Sequence, residues 1–216
     1  MSSIQTDVDP EGGDRTADTE TRVLDAAEAV FADVGFLGAT TAAIAERAGV
    51  TKASVHYYFR TKESLHGAVL ERLKEGLVEL MLPDLEQEEP LAAVLSAVRR
   101  YCQFLADHPR YVRLCLFDTL EGNRHLSNTS MFEKLIAVTT AALVKGMEQG
   151  VFRRVDPQHA IITIDSLCAH FFEHEAELKE LFADDCDRET RVERHIEHVV
   201  EIIQLALVER HVSPEA

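Results

Sequence analysis

The segment from Phe36 to Leu65, FLGATTAAIAERAGVTKASVHYYFRTKESL, constrains the fold more than any other part of the chain. It combines hydroxyl residues that start helices with a glycine that ends one. Ahead of it, Gly35 is expected to close an amphipathic helix, because apolar residues recur three or four positions apart on one face, at Leu24, Ala27, Phe31 and Val34. The first half of the chain is therefore predicted to hold several short, closely spaced helices.

Capping chemistry sets the helix boundaries inside this segment. Thr40 and Thr41 offer hydroxyl groups for the start of a second helix, which should end at Gly49 because glycine readily adopts a positive φ. Thr51 caps a third helix and Thr61 a long fourth one. A helix-turn-helix needs a small residue where its helices cross, a glycine at the turn and an apolar anchor on the second helix; the matching positions hold Ala45, Gly49 and Val55.

The stretch Thr40–Leu65 closely resembles the DNA-binding segment of the TetR family of one-component transcriptional repressors. The resemblance implies an all-α homodimer that is a regulator and not an enzyme, and that carries no cofactor. It places a three-helix DNA-binding domain at residues 21–66 and a helical ligand-binding and dimerisation domain at residues 67–216. It also implies a palindromic double-stranded DNA operator and release by a small-molecule effector.

By the same resemblance, the recognition helix spans Lys52–Phe59. The side chains expected toward the major groove are Lys52, Ala53 and His56, and those expected near the DNA backbone are Thr51, Ser54 and Tyr57. Thr41 and Lys62 are expected to bind phosphates. The apolar and aromatic side chains at helical spacing are predicted to pack inside the domain: Val55, Tyr58 and Phe59. Tyr57 could serve either purpose.

Two positions on the DNA-facing side depart from the commonest family pattern. Glycine is frequent where this chain has Ala53, and tyrosine is frequent where it has His56. The operator sequence of a relative therefore does not transfer to this chain.

The formal net charge of −16 argues at first against a polyanionic partner. Between Arg22 and Lys74, however, seven basic residues face six acidic ones, so the acidity lies almost entirely elsewhere. Only six of the 22 basic residues are lysine, and with the acidic composition this suggests a halophilic archaeal source. The alternative is an ordinary acidic cytosolic protein. Because phosphate contacts weaken in salt, a halophilic repressor would depend more on base contacts or on several dimers.

Residues 1–20 are predicted to be a disordered acidic tail, because almost no large apolar side chain occurs there. No signal peptide is recognised, and no apolar run approaches the roughly 18 residues of a membrane span. The expected location is the cytoplasm.

Beyond Leu80, proline and glycine breaks predict helices at about 91–106, 110–119, 130–149, 157–179 and 188–210. The breaks are placed at Pro83, Pro90, Pro109, Gly122, Gly150 and Pro157. Pro90 and Pro157 are predicted to be first-turn prolines, the latter behind the cap Asp156. With four N-terminal helices, the total is nine. No strand alternation appears.

The last two predicted helices carry apolar stripes: Ile161, Ile164, Leu167, Cys168 and Phe171, then Val192, Ile196, Val199, Ile203 and Leu207. By family resemblance, these stripes pair with those of a second copy as a four-helix bundle. The alternative is that they serve only the core of one chain.

Four widely spaced cysteines are expected to be reduced and buried, at Cys102, Cys115, Cys168 and Cys186. Cys115 lies two residues after Arg113, which is weak evidence for a lowered thiol pKa.

Histidines form two pairs spaced by one helical turn, His170 with His174 and His195 with His198. Either pair could bind a metal in a metal-responsive regulator, if Glu173, Glu197 or Cys168 completed the site. The first pair reads HFFEH, the order of one zinc-peptidase class, so a metal-dependent hydrolase is a remote alternative. Histidines on polar helix faces or at a dimer seam are the commoner outcome.

The expected effector is an organic molecule between helices of residues 91–171. Its lining is predicted from mixed apolar and aromatic side chains, each of which could equally be core: Tyr101, Phe104, Leu105, Leu114, Phe117, Met147 and Phe172.

Overall fold

The structure, a computed structural model, describes residues 11–86, 89–122, 130–182 and 185–208. These residues form ten α-helices: α1 (Glu11–Gly38), α2 (Thr41–Ala48), α3 (Lys52–Tyr58), α4 (Lys62–Leu85), α5 (Pro90–Asp107), α6 (Pro109–Leu120), α7 (Ser130–Glu148), α8 (Pro157–Glu173), α9 (Glu175–Leu181) and α10 (Arg188–Leu207). Among them there is no strand beyond one isolated bridge between Phe152 and Val208. None of the described helices is long and apolar enough to span a lipid bilayer.

The chain divides into two compact units, Met1–Leu70 and Glu71–Ala216. The division falls within α4, four residues beyond the boundary at residue 66 expected from the sequence.

In the N-terminal unit, helices α1 to α3 enclose a small apolar core. Its fully buried side chains come from all three helices and from the start of α4: Val23, Ala27, Phe31, Ile44, Val55, Leu65 and Val69. His66 is also buried, and its ring meets that of Phe31 edge-on, with the two ring centroids 4.8 Å apart. Gly35 has φ of 72° and breaks the α1 helix where the sequence placed its end. Val34, predicted on the apolar face, is instead half exposed.

The predicted disordered tail is wrong for residues 11–20, because α1 begins at Glu11. Residues 1–10 lie outside the described chain. Local contacts support this extension of the helix: Thr21 Oγ1 donates to the Ala17 carbonyl at 3.0 Å, and Arg22 lies 3.9 Å from the Asp18 carboxylate. The composition of residues 11–20 shows that they have no apolar face to bury. Such a composition fits a disordered segment and also an exposed helix that extends a buried one.

The C-terminal unit is a bundle in which α5 contacts α6, α7, α8 and α10. One face of α5 is buried almost continuously, at Ala93, Val94, Ala97, Val98, Cys102 and Leu105. The predicted starts at Pro90 and Pro157 are confirmed, and Asp156 accepts a hydrogen bond from the His159 amide at 3.0 Å. The glycines predicted to break helices at 122 and 150 have φ of 68° and 71°.

Three boundary predictions in this unit are wrong. Pro83 lies inside α4, which continues to Leu85, because a proline in the last turn removes only one late hydrogen bond. The predicted helix 157–179 is two helices, so the described residues hold ten helices instead of nine. At the break, His174 has ψ of 19°, and the next residue, Glu175, pairs with Arg188 of α10 at 2.9 Å. The last helix ends at Leu207 and not at residue 210, because the next residue, Val208, forms a bridge with Phe152.

Candidate DNA-binding surface and C-terminal sites

Helices α2 and α3 are each capped at their start, and a glycine ends α2 at the turn between them. Thr40 Oγ1 accepts from the Ala43 amide at 3.1 Å, and Thr51 Oγ1 accepts from the Ser54 amide at 3.0 Å. Gly49 ends α2 in the left-handed region with φ of 65°, and its amide donates to Glu46 O. These three sequence predictions are confirmed.

Arg22 fastens this turn to α1. Its guanidinium donates to the Ala48 carbonyl at 2.6 Å and to the Gly49 carbonyl at 3.3 Å. Both carbonyls belong to the end of α2, where they have no partner within the helix. The sequence reading missed this residue, since its target lies 26 positions away.

Helix α3 presents one exposed face and one buried face. Lys52, Ala53 and His56 are exposed, as is Thr51, and Ser54 is half-buried. Tyr57 is 79% exposed and meets Tyr58 edge-on at 5.2 Å. The predicted packing residues Val55 and Phe59 are buried at 1% and 9% exposure, whereas Tyr58 is half-buried. The residues expected to contact DNA therefore share one accessible surface, the α3 face (residues 51–54, 56 and 57), and Thr41 is half-buried at the start of α2.

Lys62, expected to bind a phosphate, has protein partners in the structure. Its ammonium donates to the carbonyls of Phe36 and Ala39 at 2.8 and 3.0 Å and lies 4.4 Å from the Phe36 ring centroid. These contacts hold the first residue of α4 against the turn between α1 and α2. A direct phosphate contact would have to use the remaining ammonium proton.

The C-terminal unit brings together polar side chains from α4, α5, α6 and α8, which we call the polar cluster: Lys74, Tyr101, Tyr111, Cys115, Asp118 and Asp165. Tyr111 is buried, Tyr101 and Cys115 are half-buried, and Asp165 is exposed. Lys74 and Asp118 are each 1% exposed. Tyr101 Oη donates to Asp165 Oδ1 at 2.7 Å. Burial lowers the pKa of Lys74, which the charges of Glu71, Cys115 and Asp118 partly offset.

Burial also weakens the acidity of the two tyrosines and the cysteine of the polar cluster. It raises the pKa of Tyr101 and of Tyr111 well above the usual tyrosine value. The pKa of the Cys115 thiol is raised to about 12, so the lowered pKa suggested by nearby Arg113 is wrong. The reason is that Arg113 is exposed, whereas burial raises the pKa of the half-buried Cys115 thiol by more than nearby groups lower it.

Of the polar cluster, only Tyr101 was predicted from the sequence to line a pocket. Lys74 could have been noticed, since it falls at the spacing of the buried residues Leu70, Leu77 and Val78. A lysine on a core-facing stripe is uncommon and signals a partner or a function. Asp118 and Asp165 carried no comparable local signal.

The predicted pocket residues have different surroundings. Phe104, Leu105 and Leu114 are buried, and the Phe104 ring lies edge-on to Tyr111 at 5.3 Å. Tyr101 and Phe117 are half-buried, as are Met147, whose sulfur accepts from the Val155 amide, and Phe172, which meets His195 edge-on. The pocket itself stays a prediction.

All four cysteines are free thiols, as expected. Cys102 and Cys168 are buried and hydrogen-bonded to each other between α5 and α8, whereas Cys115 and Cys186 are half-buried. The hydrogen bond and burial raise the pKa of Cys168.

The two histidine pairs differ in the structure. His170 and His174 have ring centroids 4.6 Å apart, and the side chain of Glu173 lies beside both. His195 is stacked on Phe171 at 4.3 Å, and burial lowers its pKa, whereas His198 is exposed.

The other candidate metal ligands are occupied elsewhere. Glu197 accepts two hydrogen bonds from the guanidinium of Arg99, one of them at 3.0 Å. Cys168 forms a hydrogen bond with Cys102. Among the described residues, neither Glu197 nor Cys168 joins His170, Glu173 and His174 in a cluster of possible metal ligands.

The apolar stripe predicted on the last helix belongs to the core of one chain. Val192, Ile196, Val199, Ile203 and Leu207 are all buried within the described structure. The exposed apolar side chains of α8 and α10 lie beside that stripe, at Ile162, Ile202 and Leu205. Cys168 of the α8 stripe is buried, and its other members are half-buried. Helical spacing identified amphipathic helices correctly but could not tell which side each neighbour covers.

A capped helix-turn-helix with an exposed second helix, followed by a larger helical unit, defines the class of helix-turn-helix transcriptional regulators. Residues 23–69 match the family described as bacterial regulatory proteins, tetR family, and residues 90–203 match the tetracyclin repressor-like C-terminal domain. The chain belongs to the tetR family. It is a DNA-binding transcriptional regulator and not an enzyme, which confirms the resemblance and the all-α fold inferred from the sequence.

Several known proteins are similar over most of the chain. The HTH-type transcriptional regulator RutR of Escherichia coli strain K12 is 29% identical over 183 residues, which cover 84% of this chain and 86% of RutR. The crystal structure of the transcriptional regulator SCO4942 from Streptomyces coelicolor superposes with a TM-score of 0.72 at 24% identity, covering 88% and 98%. AibR, solved with isovaleryl coenzyme A and operator DNA, has a TM-score of 0.68 at 16% identity, covering 85% and 97%.

Proposed function

We propose that the protein is a repressor that binds a palindromic operator as a homodimer and is released by a small-molecule effector. The observation that carries this proposal is the α3 face, whose exposed side chains stand on a helix anchored from behind by Val55. Lys52 can donate to guanine O6 or N7, and His56 can reach a neighbouring base. Thr41, Thr51, Ser54 and Tyr57 supply hydroxyl groups suited to phosphate oxygens.

Two residues that need not contact DNA position the α3 face. Arg22 holds the turn before α3, and Lys62 holds the start of α4 on the turn after α1. We assign to Lys62 this positioning role ahead of the phosphate contact expected from the sequence. Base recognition then rests on α3, whose register the caps fix.

A homodimer is supported by the apolar surface of the C-terminal unit. Ile162, Ile202 and Leu205 are 59%, 38% and 48% exposed, on the two helices that carry the apolar stripes. An open groove of about 380 Å³ between α8 and α10 continues this surface, with Ile164, Leu167 and Ile202 among its lining residues. Pairing the surface with its copy would remove apolar side chains from water and give the two-fold symmetry of a palindrome.

The effector is assigned to the polar cluster and the apolar side chains around it, among them the predicted residues Phe104, Leu105 and Leu114. Burying a charge costs free energy, so the enclosed ammonium of Lys74 and carboxylate of Asp118 in an apolar bundle favour a binding role. A small organic molecule with hydrogen-bonding groups would compete for the Tyr101–Asp165 contact. AibR, whose crystal holds isovaleryl coenzyme A with operator DNA, offers a precedent for a ligand and DNA on one such fold.

Selection from randomised DNA duplexes tests the DNA-binding part. Wild-type protein should enrich a palindrome with half-sites about one helical turn apart. The variant Lys52→Ala/Tyr57→Ala should enrich none while retaining the wild-type oligomeric state. Equal enrichment by both proteins would contradict the assignment of α3.

The effector assignment needs a separate test. In a metabolite screen by thermal shift, Tyr101→Phe and Asp165→Asn should lose the response to a compound that stabilises the wild type, while operator affinity is retained. An unchanged response would exclude the polar cluster.

A further inference from the structure

We propose that His170, Glu173 and His174 form a binding site for a transition-metal ion of the zinc type at the junction of α8 and α9. The inference goes beyond DNA binding and does not depend on it. Nitrogen or oxygen ligand atoms of the three side chains all lie within 4.8 Å of one another. His170 Nδ1 and Glu173 Oε2 are 3.8 Å apart.

These separations are close to those of a bound metal. Ligands about 2.1 Å from a tetrahedral zinc ion lie roughly 3.4 Å from each other. From the observed spacing, the widest pair of ligand atoms would therefore need to approach by no more than about 1.4 Å. Such movement is available, because the side chains of His170 and His174 are 68% and 47% exposed.

The surroundings of the site are acidic. Glu173 is the last residue of α8, and His174 is both the C-cap of α8 and the N-cap of α9. An open cavity of about 640 Å³ lies beside the two imidazoles, and Glu177 and Glu180 contribute to its lining. A cation would therefore enter a surface rich in carboxylates.

Glu177 has a distinct role in this arrangement. Its Oε2 is 3.2 Å from His174 Nδ1, which leaves Nε2 of the same ring for the metal. A carboxylate that accepts from the second nitrogen of a metal-binding histidine fixes the tautomer and makes the ring a better ligand. The site thus has three ligands from the protein and a supporting carboxylate, with a further coordination position open to solvent.

The ligand set selects the class of ion. Two imidazoles with one carboxylate suit zinc and its neighbours, whereas calcium and magnesium prefer oxygen ligands alone. The hydrolase suggested by the order HFFEH is not supported, because Glu173 lies among the ligands, where it cannot serve as the separate base of that class. Binding instead ties the last turn of α8 to the start of α9.

Titration of the full chain, freed of metal by chelator and dialysis, tests the site. Calorimetry should show one Zn²⁺ per chain for the wild type and no binding of Mg²⁺ under the same conditions. His170→Gln, His174→Gln and Glu173→Gln should each weaken Zn²⁺ binding at least about tenfold, and Glu177→Gln by about 10-fold to 100-fold. The matched control is His198→Gln, an exposed histidine outside the site, which should bind as the wild type does.

A second readout separates a built site from scattered surface histidines. Co²⁺ should give a visible absorption band with the wild type and His198→Gln that is absent from His170→Gln. Zn²⁺ should raise the unfolding temperature of the first two proteins only. Equal affinities of His170→Gln and wild type, or an equal loss in His198→Gln, would overturn the site. Neither result would alter the outcome of the operator selection. Failure of the metal-site proposal is therefore distinguishable from failure of the repressor proposal.

Discussion

Lys62 offers a prediction that separates positioning from phosphate binding. In Lys62→Met the apolar stem is kept, but the two hydrogen bonds to the carbonyls of Phe36 and Ala39 and the contact with the Phe36 ring are lost. A hydrogen bond from a charged donor contributes about 1.5–3 kcal/mol, and an exposed cation–ring contact about 0.5–1 kcal/mol. Because Lys62 is only half-buried, we expect a total loss of about 2 kcal/mol from the N-terminal unit.

Amide hydrogen exchange in α2 and α3 measures this loss in the N-terminal unit separately from the C-terminal one. The control Lys52→Met, at an exposed position, should change stability by no more than about 0.5 kcal/mol. The salt dependence of operator binding supplies the second measurement. Loss of one phosphate contact reduces its logarithmic slope by about 0.9, and we expect Lys62→Met to leave the slope unchanged. Unaltered exchange with a reduced slope would refute the positioning role.

Three further outcomes follow from the C-terminal unit. A methyl group at Gly146 would lie 2.8 Å from Phe152 Cγ, so Gly146→Ala should lower the free energy of unfolding by about 1–2 kcal/mol in urea. The control Gly76→Ala has open space around it and should raise that free energy by up to about 1 kcal/mol. Equal effects of the two substitutions would contradict this packing. Because the pKa of Cys115 is about 12, its thiol should resist a disulfide reagent at pH 8 in folded protein and react on unfolding. Leu205→Glu should convert dimers to monomers in analytical ultracentrifugation, and an unchanged sedimentation coefficient would exclude this face from the interface.

The raised thiol and phenol pKa values also set the direction of alkaline stability. A buried acid that is neutral in the folded protein retains its proton after the unfolded chain has released it. Cys115, Tyr101 and Tyr111 therefore contribute stability that is full below their ordinary pKa values and is lost as pH rises above them. The lowered pKa of Lys74 acts in the opposite sense and offsets part of this loss.

Local signals in the sequence were sufficient to predict the helix boundaries of the helix-turn-helix. Thr40, Thr51 and Gly49 each act on backbone groups within four residues, and their caps appear in the structure as expected. The start of α8 was equally local, since Asp156 caps the amide of His159. For this reason the helix-turn-helix could be read from one sequence.

Features that depend on distant partners were missed or misplaced. The break at His174 goes with an ion pair between Glu175 and Arg188, and no proline or glycine marks it. Lys62 has carbonyl partners 23 and 26 residues away, whereas its charge alone suggested a phosphate. The α10 stripe was correctly amphipathic, but spacing does not say whether its apolar side meets the same chain or a second copy.

Capture and sequencing of genomic DNA fragments tests the central claim most directly. Purified wild-type protein and Lys52→Ala/Tyr57→Ala would be compared at moderate and at molar potassium chloride. The account predicts a small set of palindromic sites, enriched by the wild type and lost from the variant. Absence of enrichment at both salt concentrations, or the same sites captured by both proteins, would contradict recognition of an operator through α3.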